Sequence, residues 1–219
     1  IESIQGITAD GATVDLAYTL DPRDPIFGSA LRIDTKTAVP NVRIRYHTSP
    51  QASGLQWMTP AQTASGKQPF MFSQSQAIHA RSWVPLQDTP SVRFTYTAHV
   101  TAPKALRVVM SADNDIAHAL DGDYRFRMQQ PIPSYLLAIA VGELDVRSTG
   151  PRTAVFAEPS VVAKAAKEFE DTEAMITAAE KLYGAYRWER YDILVLPASF
   201  PFGGMENPRV TFATPTVIA

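Results

Sequence analysis

Among the 219 residues, the string richest in chemical possibility is Pro197-Ala198-Ser199-Phe200-Pro201-Phe202-Gly203-Gly204-Met205-Glu206-Asn207-Pro208. Two adjacent glycines, Gly203 and Gly204, let a backbone approach another chain closely. Glu206 follows two residues later, among the apolar neighbours Phe202 and Met205. A carboxylate in such surroundings is poorly placed for solvent and well placed to receive a cation. The same string also reads as a Gly-Gly hairpin with a surface glutamate, and local physics leaves both readings open. Other chemistries lack their residues: there is no HExxH, no GxSxG and no GxxxxGK[ST]. The four histidines, His47, His79, His99 and His118, include no pair at metal-ligand spacing, and no Ser/His/Asp arrangement can be read. With no cysteine there is no disulfide or thiolate metal site, and either a reducing or an oxidising compartment fits.

The elements that must position this string are mostly strands. Val92, Phe94, Tyr96, Ala98 and Val100 alternate with polar residues, which predicts a strand with one buried face. Ala105 to Met110 and Tyr124 to Met128 read as two more strands, and Tyr135 to Val141 has the length of a buried one. Asp113-Asn114-Asp115 and Asp121-Gly122-Asp123 are turn clusters. The pattern changes near Gly150-Pro151. Thr153 to Phe156 reads as a short strand. Val162, Ala165, Phe169, Ile176, Ala179 and Tyr183 then recur at helical spacing, predicting one long helix from Val161 to Tyr183 that Gly184 ends with a positive φ. Asp192 to Leu196 reads as a central strand and Arg209 to Phe212 as another. The expected fold is therefore a β-rich N-terminal domain over residues 1–148, followed by an α/β region over residues 149–219 that buries little by itself.

Composition narrows the partners. Hydrophobic residues make up 45%, enough for a core, and charged residues 19%. The net charge of −2, with no run of Lys or Arg, argues against nucleic acid. No stretch approaches the roughly 20 apolar residues of a membrane span. The chain opens at Ile1 without an initiator Met or a signal-like segment, so either something was removed upstream or this is an internal piece of a longer protein.

Gly203-Gly204-Met205-Glu206-Asn207 is similar to the G-x-M-E-N signature of the gluzincin zinc aminopeptidases, the relatives of alanyl aminopeptidase. Further segments resemble the leukotriene A hydrolase branch of that family. They are residues 53–60 (SGLQWMTP), 72–81 (FSQSQAIHAR), 87–92 (QDTPSV), 150–153 (GPRT) and 191–197 (YDILVLP). The resemblance covers most of the chain and is weakest before residue 40.

That resemblance implies saddle-like β sheets leading into the start of a thermolysin-like catalytic domain. It implies an enzyme that uses zinc to remove N-terminal residues from peptides. Glu206 would accept the free α-ammonium of the peptide, Gly203 and Gly204 would offer backbone groups to it, and Met205 would line the pocket for its first side chain. Gln76, beside Ala77, and Gln74 would reach into the site. Phe202 stands where the branch often has tyrosine, which removes a phenol hydrogen bond. The zinc ligands would lie beyond Ala219, so this piece would depend on the remainder of its catalytic domain and would hydrolyse nothing alone. A non-catalytic β-rich binding module is the alternative reading of the same strands.

Overall fold

The computed structural model describes residues 1–35, 39–198, 200 and 202–219. The first part is all strand: β1 (Ser3–Ile7), β2 (Thr13–Asp15), β3 (Tyr18–Leu20), β4 (Leu31–Ile33) and β5 (Asn41–Arg45). These form a three-stranded antiparallel sheet in the order β2-β1-β5 and a separate β3-β4 hairpin. Six further strands follow: β6 (Leu55–Met58), β7 (Phe70–Ser73), β8 (Arg93–Thr101), β9 (Arg107–Met110), β10 (Asp123–Pro133) and β11 (Ile139–Gly142). Strands β6-β7-β11-β9 make one antiparallel sheet, and β8 pairs with β10 in a long ribbon.

The β8–β10 ribbon shows why alternation works as a signal. Tyr124, Phe126 and Met128 are buried and oppose Val100, Ala98 and Tyr96, while Arg125 and Arg127 face water. The register breaks between Met128 and Ile132, where Pro131 has no N–H for the ladder. This irregularity turns Gln130 out of the pairing, where its side chain meets a later part of the chain.

The last part contains β12 (Asp145–Ser148), β13 (Ala154–Ala157), α1 (Val162–Glu168), α2 (Thr172–Tyr183), β14 (Asp192–Val195), β15 (Gly204–Met205) and β16 (Val210–Ala213). The five strands form one mixed sheet in the order β12-β13-β14-β16-β15. Strands β13, β14 and β16 run parallel, and β15 closes the edge antiparallel to β16. Every residue of β13 and β14 is buried, which suits near-continuous apolar runs in parallel strands covered on both faces.

Two expectations need correction. The single helix from Val161 to Tyr183 is two helices, broken between Phe169 and Asp171. Thr172 stops the first by donating both its backbone N–H, at 3.1 Å, and its hydroxyl, at 2.7 Å, to the Phe169 carbonyl. Restarting at Thr172 lets Glu173 and Glu180 both reach Arg152, with bonds of 2.7 and 2.9 Å. Gly184 ends α2 with φ 86°, as expected. The run from Tyr135 to Val141 is likewise not one strand. Pro133 leads into a 3-10 turn over Ser134–Leu136, closed by Leu137 N–H on the Ser134 carbonyl, and the strand starts only at Ile139.

Against expectation, the second region has a core of its own, where Val162 and Ala165 of α1 pack with Val155, Ala157, Ile193 and Val195, while the other side of its sheet is shared. Phe70 and Phe72 of β7 pack in one buried cluster with Phe156, Leu194, Leu196, Phe200, Met205 and Phe212. Gly142 sits beside Phe70 so closely that a Cβ there would fall 2.2 Å from the ring. The four-stranded sheet and the five-stranded sheet are thus joined by aromatic packing, and that packing places β7 and β15 together.

Candidate functional site

Strand β15 is an edge, with β16 on one side and no strand on the other among the described residues. Gly204 opposes Ala213 and Met205 opposes Phe212, and the Thr214 N–H donates to the Gly203 carbonyl at 3.1 Å. An edge strand keeps unpaired N–H and C=O groups and can accept an added strand. A Cβ at Gly204 would lie 3.0 Å from the Phe212 carbonyl, whereas one at Gly203 would meet nothing within 4 Å. Gly204 is therefore needed for close pairing inside the sheet, and Gly203 leaves open space outside it.

The Gly-Gly pair is not the hairpin turn. Neither glycine has a positive φ, and the chain reverses later, across Pro208 and Arg209, where Arg209 has φ 68°. Glu206 sits between the strand and that turn. It is exposed, and its carboxylate makes no hydrogen bond or ion pair among the described residues. Asn207 beside it is 3% exposed, and its side-chain N–H group has no partner among them. Phe202 is 52% exposed and stacks edge-on against Phe200 at 5.9 Å, which in turn stacks edge-on against Phe72 at 5.5 Å. Ser199 and Pro201 of the same string lie outside the described residues.

The second segment enters from β7. Gln74 follows the last residue of that strand, its N–H bonded to the Gly54 carbonyl at 2.9 Å. Its side-chain amide lies 3.5 Å from the Met205 sulfur, and its oxygen accepts the Gln76 N–H at 3.5 Å. Gln76 and Ala77 are exposed and joined by a cis peptide bond. Ser75, between Gln74 and Gln76, is buried and receives the Trp83 indole N–H at 3.1 Å, which holds the loop down. The structure thus brings Gln74 directly onto Met205 and leaves Gln76, Ala77, Phe202, Gly203 and Glu206 open to solvent. Met205 itself is 3% exposed, its side chain in the shared core.

One residue escapes local pattern reading. Arg209 is 2% exposed. Its guanidinium pairs with Glu189, lies 3.6 Å from an Asp113 carboxylate oxygen and donates to the Gln130 side chain at 3.4 Å. The only available signal was a charged residue at the mouth of an otherwise apolar strand.

No group of three or more His, Cys, Asp or Glu residues is gathered as metal ligands among the described residues. No helix among them is long and apolar enough to cross a membrane.

Residues 15–136 match the family model of the Peptidase M1 N-terminal domain. The chain is 50% identical over 183 residues to leukotriene A-4 hydrolase of Xenopus laevis, covering 81% of this chain and 30% of that protein. It is 46% identical over 226 residues to leucine aminopeptidase 2 of Yarrowia lipolytica, covering 99% of this chain and 33% of the relative. Among solved structures, yeast leukotriene A4 hydrolase in complex with bestatin superposes with a TM-score of 0.89 at 41% identity. That match covers 99% of this chain and 34% of the other. The native enzyme from Saccharomyces cerevisiae gives 0.88 at 42%, with the same coverage. The chain spans about a third of the length of these relatives.

Proposed function

Since this chain belongs to the peptidase M1 family, we propose that it forms the part of an aminopeptidase that recognises the free amino terminus of a peptide. The observation that carries the reading is Glu206: an exposed carboxylate without a partner among the described residues, at the end of an open two-residue sheet edge. A peptide lying along β15 would pair with its backbone, which gives affinity without regard to side chains. Glu206 would receive the α-ammonium, so the chain end is counted by charge. Gly203 leaves room for the approach. Met205 lies beneath the strand and lines the base of the first side-chain pocket. Gln74, which meets Met205 from the other sheet, would reach the ligand together with the exposed Gln76 and Ala77, and Phe202 would bound the site.

Residues 1–148 act as the β-rich platform in this reading, and residues 149–219 as the beginning of the catalytic domain. Zinc, which the family implies for the whole enzyme, does not fit here, because the described residues gather no ligand set for it. What this chain contributes is binding and orientation.

The test is Glu206→Gln in the natural polypeptide containing this chain, assayed with an aminoacyl p-nitroanilide. A hydrogen bond to a charged group is worth about 1.5–3 kcal/mol, so KM should rise roughly ten- to a hundredfold. N-acetyl peptides, which lack the ammonium, should bind equally to both forms. Unchanged KM with the free-amine substrate would rule out the assignment of Glu206.

A further inference from the structure

Glu206 can count a chain end only if its position is fixed relative to Gln74 on the facing sheet. The Met205 contact with Gln74 alone does not ensure this, because Glu206 lies one residue beyond the strand, at the start of a turn. What holds the far end of that turn is Arg209. Its backbone is fixed by its carbonyl, which accepts the Asp192 N–H of β14 at 2.9 Å. Its side chain runs inward and is almost wholly buried, although its partners are not: the Asp113 and Glu189 side chains are each 63% exposed. Gln130, presented by the irregularity in β10, accepts from the same guanidinium and also donates to the Arg187 carbonyl at 3.1 Å. One cation therefore joins the β8–β10 ribbon, the turn after Trp188 and the turn carrying Glu206. A planar guanidinium with several donors suits three acceptors at once, which a lysine ammonium matches only in part.

We propose that Arg209 is a positioning residue for Glu206, fixing the turn that carries the carboxylate against Gln130, Asp113 and Glu189 so that a peptide ammonium is met at a set place. This rests on the reading of Glu206 given above. Arg209 does not touch the peptide. Its effect passes through the short stretch Asn207-Pro208, whose buried Asn207 allows little independent movement.

The experiment measures inhibition constants of a leucyl dipeptide amide and of its N-acetyl form, using the natural polypeptide containing this chain. The ratio of the two constants reports recognition of the free amine and is insensitive to a general loss of affinity. Variants are Arg209→Met, Arg209→Lys, Glu189→Gln, Glu206→Gln and the Arg209→Met/Glu206→Gln pair, with folding checked by circular dichroism. The expected result is a ratio reduced at least tenfold in Arg209→Met, mostly restored in Arg209→Lys, and no lower in the pair than in Glu206→Gln alone. A folded Arg209→Met with an unchanged ratio, or losses that add in the pair, overturns the proposal. If Arg209→Met does not fold, Glu189→Gln decides: a reduced ratio supports the proposal and an unchanged one overturns it. If Glu206→Gln itself leaves the ratio unchanged, the amine-binding reading fails and this one with it. That outcome is distinct from one in which only the Arg209 variants are silent.

Discussion

Phe72 is where stability and site geometry meet. Its side chain is 1% exposed, and its ring contacts Phe70 at 6.5 Å and Phe200 at 5.5 Å, the latter edge-on at 76°. Phe200 in turn supports Phe202 at the site. Phe72→Ala removes a fully buried ring from the joint between two sheets and leaves a cavity that neither sheet can close without shifting. Such changes cost about 3–5 kcal/mol, with about 0.5–1.5 kcal/mol of that belonging to the lost edge-on contact. Phe72→Leu keeps most of the volume and should cost less than about 1.5 kcal/mol. Phe202→Ala removes a half-exposed ring and should cost at most about 1 kcal/mol. Urea unfolding followed by tryptophan fluorescence separates the three. With a slope of about 2–3 kcal/mol/M, the midpoint for Phe72→Ala should fall by about 1 M or more at constant slope. The reasoning is refuted if Phe72→Ala shifts the midpoint no further than Phe72→Leu, or if Phe202→Ala shifts it as far.

Two further predictions concern charge. Arg152 holds the Glu180 carboxyl below its ordinary 4.5 by direct hydrogen bonds; Glu173 is raised by burial but pulled below the same value by Arg152. Stability from depressed carboxyls is present above 4.5 and lost as pH falls through the lowered values, so the gap between wild type and Arg152→Met should be wide at neutral pH and close in acid. Amide exchange across α2 should quicken in the variant, and a gap independent of pH would contradict the assignment. Glu158 is 5% exposed and accepts the Ala64 N–H at 2.8 Å, and burial raises its carboxyl above the ordinary range. A raised acid loses stability as pH rises through its folded value, so Glu158→Gln, which keeps the acceptor, should gain on wild type between pH 4 and pH 7. Equal urea midpoint differences at both values would refute this.

Some of the molecule is legible from pattern alone. Strand β10 shows itself because each second residue is buried against β8, and β14 because a parallel strand covered on both faces is apolar throughout. Gly184 marks a helix end because a positive φ suits glycine. Other features depend on distant partners. The break before Thr172, where its N–H and hydroxyl take the Phe169 carbonyl, lets Glu173 and Glu180 reach Arg152, twenty residues before Thr172, and periodicity contains no trace of that. The apolar spacing continues across the break, so one helix is the natural reading. At the site, Gly203 to Glu206 stand out by residue type, but that Gln74 meets Met205 depends on a long-range aromatic joint. The Arg209 cluster draws on residues 113, 130 and 189, and no local window contains them.

The open edge at β15 also bears on how the protein behaves in a crowded solution. Unpaired strand edges invite other copies of the same chain to add to the sheet, and long flat ones lead to aggregation. Here the exposed ladder is two residues long, Gly204 and Met205, and a carboxylate follows it at once. A second copy could form only a few backbone bonds there, each worth about 0.5–1.5 kcal/mol net, too little to outweigh the entropy of association. Shortness thus lets the edge remain open for a brief extended ligand while denying it to the protein's own neighbours.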